Sequence, residues 1–297
     1  MSDFEHLVES LAEKCRHMSD QERIIQLTTP RWLGYPRAKE IDTALEWLFT
    51  HPRVTRMPNV LLIGRTNNGK TGVVNRFAAR HLPSDNPGGE SIIAPVLMIQ
   101  TPPKPTEAGF YTEILHPLLK RLPNGTVADK RARVVEILRQ VQLKVLIIDE
   151  MHNMLAATAP AQREFLNVIK YLSNELQISM VGVGDETLVS AVGIDPQIQN
   201  RFTPEILPKW KVGPEFNRLL ASFEKVLPLR NASGLVEPVL AMKLAALCEG
   251  TIGELSLLLN KASAYAISRG QEQVTVDVLN KCGYVSPSQR KLINVEI

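Results

Sequence analysis

Apolar residues recur along the 297-residue chain in two rhythms. Short unbroken apolar runs, such as Val60-Leu61-Leu62-Ile63 and Val145-Leu146-Ile147-Ile148, predict buried strands at 59–63 and 145–148. Similar runs predict strands at 92–100 and 179–183, and a short one at 205–207. Between them the spacing turns helical, at 38–50 with Ile41, Leu45 and Leu48 inward, and at 70–81, 107–121, 128–141 and 161–176. Wholly apolar strands separated by helices imply a parallel sheet covered on both faces, an α/β fold. Ahead of it, residues 2–27 read as helical, with Phe4, Leu7, Val8 and Leu11 at i, i+3, i+4 and i+7. After about Val212 the strand signal stops, and helices are expected near 214–227, 237–248, 252–269 and 275–282. The pattern divides the chain into an N-terminal helical extension (1–30), an α/β core (31–212), an all-α segment (213–285) and a C-terminal tail (286–297).

Chemistry sits at the strand ends. Gly64-Arg65-Thr66-Asn67-Asn68-Gly69-Lys70-Thr71, with Gly72 next, matches G-x-x-x-x-G-K-[ST] between an apolar strand and a helix. Glycines there let backbone N–H groups converge on phosphate oxygens, and the helix N-terminus adds partial positive charge. Lys70 is expected to reach the β- and γ-phosphates of ATP, and the Thr71 hydroxyl to ligate Mg²⁺. Asp149 and Glu150 close the 145–148 strand, at the end where such sheets bind ligands. Adjacent carboxylates beside a core strand repel, and a metal resolves that. Asp149 is expected to hold Mg²⁺ through water, and Glu150 to polarise the attacking water as general base. The strand–helix segment 92–141 between the two motifs, together with Glu150, points to the additional-strand, catalytic-glutamate P-loop ATPases. His152 has two readings, packing at the top of the sheet or γ-phosphate sensing. After the fourth strand, Asp185 or Thr187 either contacts the γ-phosphate or forms a turn with a helix cap.

Composition changes this picture little. Hydrophobic residues make up 44%, enough for a sizeable core, and no apolar run approaches the ~20 residues of a membrane span. The acidic start MSDFEHLVES has no apolar signal region, and Cys15, Cys248 and Cys282 lack metal or disulfide spacing. A cytoplasmic protein, nucleoid-associated in a bacterium and without a membrane partner, is the expectation. Net charge is only +3, although 102–144 alone carries +4. That local excess fits a solvated helix face or an anion-binding surface.

The motifs together resemble an AAA+ ATPase, and more narrowly the TniB/TnsC family of transposition ATPases, relatives of MuB and IstB. The resemblance is carried by Trp32-Leu33-Gly34-Tyr35-Pro36-Arg37-Ala38, by the Gly64–Thr71 loop, and by Ile147-Ile148-Asp149-Glu150-Met151-His152-Asn153. It continues through the 163–176 helix, Val181-Gly182-Val183-Gly184, Asp195-Pro196-Gln197 and Asn200-Arg201-Phe202. It implies an αβα P-loop sandwich on a parallel five-stranded sheet, with 213–285 as a small helical lid. It implies Tyr35 and Pro36 flanking the adenine, and Arg201 reaching a neighbouring subunit's γ-phosphate. It also implies homo-oligomeric rings or helical filaments on double-stranded DNA, a TniA/TnsB-like DDE transposase and a TniQ-like target selector. This chain departs from the pattern twice: Gly253-Glu254 stands where a lid arginine is common, and Asp185 where threonine is more usual.

In AAA+ rings the loop after the second strand faces the pore. Here it reads Thr101-Pro102-Pro103-Lys104-Pro105-Thr106. Thr101 and Lys104, with Lys130, Arg131 and Arg133 from the same inter-strand insertion, are the expected phosphate contacts to DNA. A protein-remodelling AAA+ machine is the alternative, but that loop lacks an aromatic residue. Phe110 and Tyr111 come later, at helical spacing with Ile114, which suits core packing.

Overall fold

The computed structural model describes residues 3–89, 91–103, 105–119, 121, 124–193 and 196–292, with backbone alone at 196 and 197. The chain forms two compact units. One comprises 36–66 and 70–208, the other 1–35, 67–69 and 209–297.

The first unit is built on five strands: β1 (Asn59–Gly64), β2 (Val96–Gln100), β3 (Val145–Asp149), β4 (Ser179–Gly184) and β5 (Phe202–Leu207). Their order is β2-β3-β4-β1-β5, and every pairing is parallel. β1, β3 and β4 are buried at every position. Because successive side chains point to opposite faces, the sheet is covered on both. Helices Lys70–Arg80, Glu107–Leu115, Val127–Gln140 and Ala159–Leu176 contribute Phe77, Phe110, Leu138 and Phe165 to the buried core. Helix Pro36–Thr50 buries Ile41, Leu45 and Leu48 as its periodicity requires.

Two boundaries differ from expectation because of proline. β2 begins at Val96 rather than at 92, since Pro95 has no N–H for a ladder; its carbonyl instead accepts from Lys144 and Val145. The helix expected over 107–121 stops at Leu115; His116 keeps helical angles, but Pro117 has no N–H to continue the ladder.

The second unit is helical. Pro214–Glu224, Pro238–Cys248, Ile252–Ser268 and Val276–Lys281 close around Phe216, Leu220, Leu244, Leu255, Leu259 and Val278. Within the expected tail, Pro287–Leu292 forms a further short helix. The expected N-terminal helix is two helices, Glu9–Arg16 and Asp20–Gln26. The break falls at Ser19, whose backbone N–H donates to Glu22 Oε2 at 2.7 Å while its hydroxyl accepts from Glu22 N at 3.3 Å. These residues do not stand apart as an extension. Phe4 N donates to Arg230 O at 2.9 Å, and Leu27 joins the core of the unit.

Arg23, 1% exposed, locks this arrangement. Its guanidinium donates to Glu272 at 2.8 and 2.6 Å, to Asp20 at 2.7 Å and to Pro228 O at 2.9 Å. Removing Arg23 would leave the buried Glu272 with only the more distant Arg230 guanidinium, 3.4 Å away, as its cation. Arg23→Ala is therefore expected to destabilise the helical unit by about 3–5 kcal/mol, read as a lower urea midpoint. An unchanged midpoint would show that Glu272 finds other solvation. Among the described residues, no helix is long and apolar enough to cross a membrane.

Candidate nucleotide-binding site

The loop between β1 and helix Lys70–Arg80 turns through two left-handed residues, Asn67 at φ 61° and Gly69 at φ 87°. Glycine adopts this conformation without steric cost, and asparagine tolerates it better than most residues. The turn leads into the free N–H groups of the helix N-terminus, a site suited to anions. Arg65 and Thr66 are exposed, Asn68 is buried, and Thr71 and Gly72 are exposed on the first helical turn.

Lys70 is 8% exposed, and its Nζ donates to Gly64 O at 2.7 Å and Arg65 O at 2.9 Å. Burial pulls the pKa of this ammonium down, and the charges of Glu150, Asp149 and Asp185 oppose that shift. The Thr71 hydroxyl donates to Asp149 Oδ2 at 3.0 Å, and Asp149 Oδ1 accepts from Glu150 N at 2.8 Å. Glu150 leaves β3 in the left-handed region at φ 52°, ψ 34°, a conformation that costs a non-glycine residue about 1–3 kcal/mol. Strain of this kind gathers at functional sites, and here it turns the Glu150 carboxylate toward His152. Glu150 Oε2 lies 3.4 Å from His152 Nε2, and that nitrogen is 3.7 Å from Asp185 Oδ2.

Asp185 Oδ1 accepts from Thr187 N at 2.9 Å and from the Thr187 hydroxyl at 2.5 Å. Burial alone would raise its pKa. The Thr187 hydrogen bonds, with His152 and Lys70 nearby, outweigh burial and hold the carboxyl below its usual value. Asp185 and Thr187 are thus bonded to each other at the start of helix Thr187–Val192, whose N-cap residue Glu186 makes no side-chain cap.

The donor set fits Mg²⁺. A hydroxyl and a carboxylate from separate elements stand 3.0 Å apart. Mg²⁺ takes one or two protein oxygens and completes its shell with water and substrate phosphates.

Of the other expected residues, Tyr35 borders the phosphate loop, its hydroxyl 3.9 Å from where a Cβ on Gly69 would stand. Tyr35, 8% exposed, packs edge-on against Trp210 with ring centroids 5.0 Å apart. Pro36 opens helix Pro36–Thr50. Arg201 sits at the start of β5, where its carbonyl accepts from Asn59 N, and its Nη1 donates to Asn174 Oδ1 at 2.6 Å. The phosphate loop leaves the opposite end of the same strand pair, where Gly64 faces Leu207.

The expected DNA contacts need revision. Thr101 is 2% exposed and its N–H donates to Asp149 O at 2.9 Å, so its hydroxyl is not on the surface. Arg131 donates to Glu107 and to the Tyr111 hydroxyl, which ties helix Val127–Gln140 to helix Glu107–Leu115. Lys130 donates to Thr112 Oγ1 at 3.2 Å, and Arg133 to Glu136 at 2.7 Å. An exposed pair such as Arg133–Glu136 contributes only about 0–1 kcal/mol, so a phosphate can displace it. Lys104 lies outside the described residues.

Two features had no counterpart in the sequence reading. Asn59, buried in β1, accepts from Met180 N on its side-chain oxygen at 2.7 Å and links β1 to β4. Glu254 is buried at the start of helix Ile252–Ser268 and receives Arg290 from the C-terminal helix. A polar residue opening an apolar strand was a readable sign of the first. Nothing in the spacing of Glu254 and Arg290 announces the second.

The model of the bacterial TniB protein family matches residues 23–212. No curated protein matches the chain. Among solved structures, the chain is similar to the Orc1 protein of Aeropyrum pernix in complex with DNA. The identity there is 20%, over 89% of this chain and 70% of that one, with a TM-score of 0.62. It is similar to the Orc2 protein of the same organism in ADPNP–ADP complexes, at 16% identity over 88% and 71%, with a TM-score of 0.57. It is also similar to the RuvB Holliday junction branch migration motor of Thermotoga maritima, at 14% identity over 86% and 72%, with a TM-score of 0.52. At these identities the likeness establishes the fold, that of AAA+ ATPases. The matched span runs from the second helix through all five strands and takes in every motif at their ends, so the chain belongs to the bacterial TniB protein family and is an AAA+ ATPase.

Proposed function

We propose that this ATPase binds double-stranded DNA without sequence preference in its ATP-bound state, assembles on it as a ring or helical filament, and recruits or activates a DDE transposase. The observation that carries this reading is the Thr71–Asp149 contact beside Lys70 and Glu150, an intact hydrolytic constellation in a TniB chain. An intact constellation favours a cycle of assembly and release over a passive adaptor.

In this reading the loop from Gly64 to Gly72 cradles the phosphates and Lys70 exchanges its two carbonyl contacts for phosphate oxygens. Thr71 and Asp149 hold Mg²⁺, which supplies charge neutralisation for the transferring phosphoryl group. Glu150 takes the proton of the attacking water. Asp185, tied to Thr187, orients His152 rather than touching phosphate. Tyr35 and Pro36 lie beside the base. Arg201 acts on the site of a neighbouring subunit, and nucleotide bound there stabilises the assembly by mass action.

DNA binding draws support from the family and from the DNA complex of the similar Orc1 protein. Lys104 and the displaceable Arg133 and Lys130 are the proposed phosphate contacts, which give affinity without sequence choice. The target selector of the TniQ type is the further partner in this reading. The remodelling alternative loses its aromatic pore candidates, since Phe110 and Tyr111 are both 0% exposed.

Electron microscopy with duplex DNA and a slowly hydrolysed ATP analogue tests the proposal. Rings or filaments on unrelated sequences are expected, with log affinity falling linearly against log salt. Normal nucleotide binding without any assembly on DNA would overturn it.

A further inference from the structure

Glu254 is a carboxylate only 7% exposed in the first turn of helix Ile252–Ser268. Donors from three segments converge on it. Asn67 Nδ2 donates to Oε1 at 3.0 Å, the Tyr284 hydroxyl to Oε2 at 2.7 Å, and Arg290 Nη2 to the same Oε2. A carboxylate this deep is tolerable only while such partners remain.

Asn67 is gripped twice more by the same helix end. Gly253 N donates to Asn67 O at 3.0 Å. A Cβ on residue 253 would lie 1.9 Å from Asn67 Oδ1 and 2.7 Å from Asn67 O, so only glycine permits this approach. Asn67, Gly253, Glu254, Tyr284 and Arg290 all belong to the helical unit. Asn67 is also the residue that holds a left-handed turn in the phosphate loop at φ 61°, without the freedom of glycine.

We propose that Arg290 and Tyr284 are positioning residues for the phosphate loop: by anchoring Glu254 they hold Asn67 in its left-handed conformation and so set nucleotide affinity. The inference rests on the reading of Gly64–Thr71 as the phosphate cradle. Without Arg290, the Glu254 charge is left buried against two neutral donors. It must then turn toward solvent, and that movement weakens its acceptance of the Asn67 amide. Asn67 is thereby released toward the right-handed and extended basins it otherwise prefers. The Arg290 side chain is 44% exposed against 9% for Glu254, so the contact can be opened from the solvent side.

The test uses the full chain. In the nucleotide-free protein, Arg290→Ala and Tyr284→Phe should raise hydrogen exchange of the 66–70 amides. A fluorescent ADP derivative with Mg²⁺ should bind Arg290→Ala about tenfold more weakly, within the usual range of coupling between sites. The loss should fall on KM for ATP rather than on kcat, and Arg290→Lys should recover part of it. Glu254→Gln keeps an acceptor for Asn67 but no charge to neutralise, so adding Arg290→Ala in that background should cost little more.

Unchanged loop exchange and affinity in Arg290→Ala would overturn the proposal, as would an equal loss in the Glu254→Gln background. If Arg290→Ala fails to fold, the single-hydroxyl deletion Tyr284→Phe decides by the same exchange measurement. Lys70→Ala separates the two readings. Undiminished nucleotide affinity in that variant would sink the phosphate cradle itself, while loop exchange still judges the Arg290 contact.

Discussion

Glu150→Gln should arrest ATP turnover while leaving nucleotide binding intact. The amide is isosteric and still hydrogen-bonds, but it cannot accept the proton of the attacking water. A fall in kcat of about 10²–10⁴ is the expected scale for loss of a general base. The geometry favours a clean outcome. Asp149 and Thr71, which would hold the metal, contact one another directly, and Asp149 touches residue 150 only through its backbone N–H. The substitution therefore leaves that pair alone. The changes it does make are at His152, 3.4 Å from the Glu150 carboxylate, and at Lys70, whose ammonium loses one nearby negative charge. Under the proposed cycle, in which hydrolysis drives release, DNA-bound assemblies of this variant should persist longer than those of the native chain. Phosphate release at saturating ATP is the measurement, and a native rate would remove Glu150 from the mechanism. Lys70→Ala should behave differently. Its buried ammonium is the cation beside the loop carbonyls, so nucleotide binding and assembly should be lost together.

Arg201→Ala should bind ATP normally and hydrolyse it about 10³-fold more slowly, and the defect should be shared between subunits. The sheet supplies the reason. Arg201 lies before Phe202, which pairs with Asn59 at the start of β1, whereas the phosphate loop begins at Gly64 at its far end. A strand of this length spans about 17–20 Å, more than an arginine side chain can bridge. Within one chain Arg201 is instead occupied by Asn174. Its action on a γ-phosphate therefore requires a second copy. Mixing Arg201→Ala with Lys70→Ala should restore activity at interfaces that combine an intact loop from one chain with an intact arginine from the other. No recovery at any ratio, with co-assembly verified by cross-linking, would place the arginine outside the mechanism.

Local sequence was enough for the α/β class, the five strands and the phosphate loop. Each rests on short-range physics: apolar runs that must be buried, and a glycine turn that only a strand–helix junction explains. Proline set the limits of that reading, since Pro95 and Pro117 shortened a strand and a helix whose apolar pattern ran on. The site was legible where its residues adjoin in sequence, as Asp149 and Glu150 do. Contacts between distant segments were not legible, because periodicity says which face is buried but not what it meets. A run of cations at 130–133 reads the same whether it faces DNA or, like Arg131, a glutamate on the next helix. Thr101 reads as loop until its N–H is seen on Asp149. The sequence alone thus determined the elements of this ATPase and the chemistry at the strand ends, since both depend on neighbouring residues. Only the tertiary structure decided which charges are satisfied, from Arg23 on Glu272 to Arg290 on Glu254, because a buried charge takes its partner from whatever segment the fold brings to it.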